Sequence, residues 1–114
     1  MSPRILDFEN RARAALAVGE PSPAALDMVI TDGCAFALTI ETELRRCERL
    51  RDRLLSSAEA DADVARELAE LGRAAQRLVE REQRIRALVR ELMRLRARRG
   101  LRTVAAERGT AAAG

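Results

Sequence analysis

Large apolar residues recur every seven positions at Val64, Leu71, Leu78, Ile85 and Leu92. That spacing restricts the chain to long helices packed on helices, because seven residues make two α-helical turns and do not fit the two-residue period of a strand. Leu68, Ala75, Glu82, Val89 and Arg96 fill the companion position. The pattern predicts a helix over residues 62–99, with Asp61 or Asp63 as its N-cap. Arg98, Arg99 and Gly100 supply a basic last turn and a glycine stop. Residues 101–114, rich in Ala and Gly, are then expected to form a flexible tail.

A second seam lies upstream. Leu26, Ile30, Gly33, Ala37, Ile40, Leu44, Cys47, Arg51, Leu54 and Ala58 alternate by four and three positions and predict a helix over 23–56. Ser22-Pro23 marks its start, since proline at the first helical position has no N–H to leave unpaired. The phase of the seam survives across Gly33, so the helix is expected to continue, with another helix approaching closely there. Ser2-Pro3 starts a shorter helix over 3–18, which Gly19 and Pro21 end. Its apolar face carries Ile5, Phe8, Ala12, Ala15 and Leu16. Its polar face carries Arg4, Asp7, Glu9 and Arg11.

The two long segments belong to a hairpin. Residues 56–63 contain no large apolar side chain and several that favour turns. The seam also slips by three residues across them, which one continuous rod would absorb only by overwinding. Folding at this point pairs Leu54 with Val64, Cys47 with Leu71, Ile40 with Leu78, Gly33 with Ile85 and Leu26 with Leu92. Residues 1–100 are thus expected to form one all-α domain, an antiparallel, coiled-coil-like helical hairpin about 60 Å long. The first of the three helices packs at the open end, over a second stripe of Val29, Phe36, Leu88 and Leu95.

Composition narrows function by exclusion. There is no His, which removes the commonest metal ligand and general base. Cys34 and Cys47 match no zinc spacing. On one helix they lie about 20 Å apart, too far for a disulfide, and they read as small buried hydrophobes in a reducing compartment. Isolated glycines form no phosphate-cradling loop, and the serines have no base to activate them. The expectation is no enzyme, no metal or cofactor and no small-molecule substrate. No run of 18 uninterrupted apolar residues is present, so a membrane span is not expected and a cytoplasmic location is the default.

What remains is interaction. Leu50, Leu55 and Val79 lack an obvious cover in a two-helix arm, and Glu82 is a polar residue on the seam. These four are the candidate interface for a homodimer or another helical protein, in an adaptor, scaffold or assembly role. Arg51 is expected near Glu67. The alternative is nucleic-acid contact. Residues 81–99 carry eight Arg against two Glu, and Arg86, Arg90, Arg94 and Arg98 form a ridge suited to phosphates without regard to sequence. Against it, all 21 basic residues are Arg, the pattern of a coding bias, and acidic residues of the first two helices should pack nearby.

Overall fold

The computed structural model describes residues 3–18, 21–57 and 61–113. It contains three helices: α1 (Pro3–Val18), α2 (Pro23–Ser56) and α3 (Ala62–Ala113). Local chemistry explains most of their ends. At the start of α2, extended Ser22 accepts the Ala25 N–H on its Oγ at 3.1 Å. At the other end, Ser57 turns to extended geometry while its N–H still reaches the Leu54 carbonyl. Asp61 caps α3, its Oδ1 accepting the Val64 N–H at 2.9 Å. The expected roles of Ser2 and Gly19, and the seam and turn positions Ala58 and Glu59, lie outside the described residues.

One boundary differs from expectation. The helix does not stop at Gly100, and 101–113 are helical rather than a flexible tail. A glycine stop needs the left-handed backbone that only glycine adopts cheaply, and Gly100 has no such conformation. Glycine inside a helix costs only about 1 kcal/mol against Ala, and Leu101, Arg102, Ala105 and Ala106 are good helix formers. The 52 residues of α3 rise about 78 Å and set the 80 Å long axis of the molecule.

α2 and α3 run antiparallel, and α1 lies in the groove between them at the open end, antiparallel to α2 and parallel to α3. Asp27 pairs with Arg96 at 3.4 Å, Arg11 with Asp32 at 3.0 Å, and Glu41 with Arg86. The register differs from the expected one by a helical turn. Gly33 faces Val89 rather than Ile85, and Cys47 borders Ala75 rather than Leu71 alone. A seam that alternates by three and four stays seam-to-seam when one helix slides by a turn, so periodicity cannot separate the two registers.

Packing at Gly33 separates them. A Cβ built there would stand 2.5 Å from Val89 Cγ2 and 2.7 Å from Phe8 Cζ. Three helices meet at this point because one of them has no side chain. Phe8, Leu26, Ile40, Ile85 and Leu92 are fully buried around it. The second stripe is covered as expected: Val29 and Leu95 are buried, and Phe36 packs against Phe8 with ring centroids 5.9 Å apart. Glu9 corrects the reading of α1. Rather than lying on the polar face it is 4% exposed, held by Arg13 at 3.3 Å and facing Arg84 of α3 at 3.8 Å.

Gly33→Ala is expected to lower stability, because overpacking of about 1–3 kcal/mol exceeds the helix-propensity gain of about 1 kcal/mol. Gly100→Ala, whose added methyl meets nothing within 4 Å, should gain about 1 kcal/mol. Urea unfolding of both variants checks this; a stabilised Gly33→Ala would mean that α1 does not pack where it is placed here.

Candidate functional site

Beyond the reach of α1, the hairpin is an arm two helices thick, and its seam residues bury only partly. Leu44, Cys47, Leu54, Val64, Leu68, Leu71, Leu78 and Val79 are all half-buried. A pair of helices has two flanks, and the arm leaves a different apolar surface on each.

On the flank opposite α1, Leu44, Cys47, Glu48 and Arg51 of α2 face Leu68, Leu71, Gly72, Ala75 and Val79 of α3 across an apolar groove of about 220 Å³. Leu55, 63% exposed, continues this flank one turn past Arg51. The α3 wall is low because Gly72 and Ala75 stand where larger residues would close it. Toward the open end the same flank has a second hollow, lined by Cys34, Ala37, Leu38, Val89, Arg90 and Met93. Leu38 and Met93 are 62% and 52% exposed.

A polar cluster separates the two hollows. Arg86 donates from Nε to Glu82 Oε1 at 2.9 Å and from Nη2 to Glu41 across the helix pair. The hydrogen bond that Arg86 donates to Glu82, then the negative charges of Glu82 and Glu41, outweigh desolvation and hold the Arg86 guanidinium protonated more firmly than usual. Glu82 at its seam position thus takes a cation from its own helix, one turn on, through Oε1, while its Oε2 is buried without a hydrogen-bond partner.

Leu50 lies elsewhere. It borders the hollow on the α1 flank together with Arg53, Leu54, Glu67, Glu70, Leu71 and Ala74. The four candidate interface residues therefore do not form one stripe: Val79 and Leu55 share a flank, Glu82 belongs to the polar cluster, and Leu50 faces away from all three. Arg51 and Glu67 likewise fall on different flanks rather than pairing. Leu50 and Leu55 are five residues apart, about 140° around one helix, so they leave the seam on opposite sides; the placement of α1 decides which of those sides is the covered one.

Other expected site residues divide in the same way. Of the basic ridge, Arg86 is engaged as described, while Arg90, Arg94 and Arg98 are exposed and make no ion pair among the described residues. Cys34 is exposed and Cys47 half-buried, rather than both being core; Cys34 sits one step off the seam, and Cys47 lies on the uncovered arm. Leu38 and Met93 were not anticipated; their only sequence signal is a large apolar residue beside the seam. By length and composition α2 also passes as a membrane-crossing helix. Its apolar residues Leu26, Val29, Ile30, Ala37 and Ile40 are the ones that fill the core, and its Asp27 and Asp32 are ion-paired.

Arg86→Met should lower the urea midpoint, because it leaves Glu41 and Glu82 side by side and part-buried without a cation. Adding Glu41→Gln should restore part of the loss, and Arg90→Met alone should leave the midpoint unchanged. Equal effects of Arg86→Met and Arg90→Met would show the cluster to be inert.

Comparison of the chain with protein-family models, curated proteins and solved structures finds no match.

Proposed function

We propose that the protein is a non-enzymatic, coiled-coil-type interaction module that pairs with a second copy of itself through the groove of Leu44, Cys47, Leu68, Gly72, Ala75 and Val79. The observation that carries this is the open apolar groove on the flank opposite α1, walled on one side by small residues. Helix axes approach to about 8–10 Å where contact residues are small, so a second hairpin laid on this flank would make a four-helix layer.

Surface area supports the same reading. A compact monomer of 12.6 kDa exposes about 6,200 Å², whereas this chain exposes 8151 Å². An elongated arm with apolar flanks gains by association what it lacks in core. The rim suits a twofold arrangement. Glu48 and Arg51 border the groove together, and in an isologous interface each meets the other's counterpart on the second copy. Free thiols at Cys34 and Cys47 fit a reducing, cytoplasmic setting.

Light scattering or sedimentation over a tenfold concentration range tests the proposal. The wild type should be a dimer. Val79→Glu should be monomeric with its helicity retained, and Leu55→Glu should weaken association. Leu50→Glu, on the other flank, should leave the dimer intact. A monomeric wild type, or equal sensitivity to Leu50→Glu and Val79→Glu, would overturn the assignment of this groove.

A further inference from the structure

We infer that the C-terminal part of α3 binds the phosphate backbone of duplex nucleic acid, through a ridge of Arg90, Arg94, Arg98 and Arg102. The ridge follows from where the helices end. α2 begins beside Arg96, Arg99 and Gly100, where Pro23, Leu26 and Asp27 complete a shallow hollow. α3 continues beyond that point to Ala113. Among the residues past it, Leu101, Arg102, Val104, Ala105, Ala106, Arg108 and Gly109 are all exposed. A single helix therefore projects from the end of the bundle, carrying Arg102 and Arg108 against Glu107, and the ridge runs from the bundle onto its first turn.

Charge decides what such a helix meets. Between 90 and 102 the chain carries Arg90, Arg94, Arg96, Arg98, Arg99 and Arg102 against Glu91 alone. Among the described residues, the aspartates of α2 at this end are already engaged: Asp27 holds Arg96 and Asp32 holds Arg11. Arg90, Arg94, Arg98 and Arg102 are exposed, make no ion pair among the described residues, and recur every four positions. They extend about 18 Å along the helix and wind gradually around its outer surface. A duplex presents one phosphate charge per ~1.7 Å of axis, so about ten lie alongside this length. Arg90, Arg94 and Arg98 lie at levels where α2 still packs beside α3, so the ridge is an outer surface that lies along the phosphate backbone rather than a helix inserted into a groove. Contacts made along the phosphate backbone carry no sequence information, so binding is independent of sequence. Self-association uses the arm half of the flank opposite α1, whereas Arg90 borders that flank only near the open end, so this inference does not depend on it.

The test is fluorescence anisotropy with a labelled DNA duplex of arbitrary sequence, at salt concentrations from about 50 to 200 mM. If four phosphates are neutralised, log affinity should fall with log salt at a slope of about −3.6, a loss of roughly 100-fold over that range. Changing Arg90, Arg94, Arg98 and Arg102 together to Gln preserves helix propensity and should remove at least about tenfold of the affinity and flatten the slope. A control with Arg46, Arg53, Arg73 and Arg77 changed to Gln removes the same charge elsewhere and should bind like wild type. Circular dichroism confirms that both variants remain helical, and Val79→Glu should still bind if it is monomeric. Three results would overturn the inference: no binding at about 50 mM salt, equal losses in ridge and control variants, or binding to phosphatidylserine vesicles without binding to the duplex.

Discussion

Contact of the Phe8 ring and the Val89 methyl with the bare backbone at Gly33 is the point on which the rest of the structure depends. A side chain at that position would hold α1 off the groove. With glycine there, α1 sinks between α2 and α3, Phe8 and Ala12 become fully buried, and the open end gains a three-sided core. The same contact sets the slide of α2 against α3, since Val89 fits over Gly33 in only one register. It also limits the core. α1 is 16 residues long, so it covers only the open end and leaves the arm two helices thick. The open groove on the arm is a consequence of where that cover stops.

Charges follow the register rather than create it. Asp27 with Arg96, Asp32 with Arg11, and Glu41 with Arg86 each join two helices at successive levels. Most are partly exposed and individually weak. A slide of α2 against α3 by one turn would unmake the Asp27–Arg96 and Glu41–Arg86 pairs together, which adds selectivity to a seam that is tolerant of sliding. Their second effect is to consume the acidic residues at the open end, leaving the arginines on the outer surface of α3 without partners. Buried Glu9 is the costly member of the set, because a carboxylate out of water needs its cations close by, and Arg13 and Arg84 supply them.

The sequence by itself determined the three helices, their order and all but one of their ends, because these depend on local chemistry. Ser22 before Pro23, Asp61 before Val64, and unbroken three-four alternation act within a few residues of where they occur. The hairpin was legible for a related reason: two seams of similar length separated by a polar turn have few ways to bury themselves. Tertiary structure alone decided the register, because a heptad seam is degenerate to sliding by one turn and only the Phe8–Gly33–Val89 packing breaks the tie. It decided the burial of Glu9, which a helical wheel of α1 places beside solvent until Arg84 is brought to it. The passage of α3 through Gly100 is local, since the residues that follow are good helix formers and an internal glycine costs only about 1 kcal/mol. Tertiary structure also decided which flank α1 takes: spacing along one helix already separates Leu50 from Leu55 by about 140°, but only the seat of α1 over Gly33 leaves the side of Leu55 and Val79 without cover.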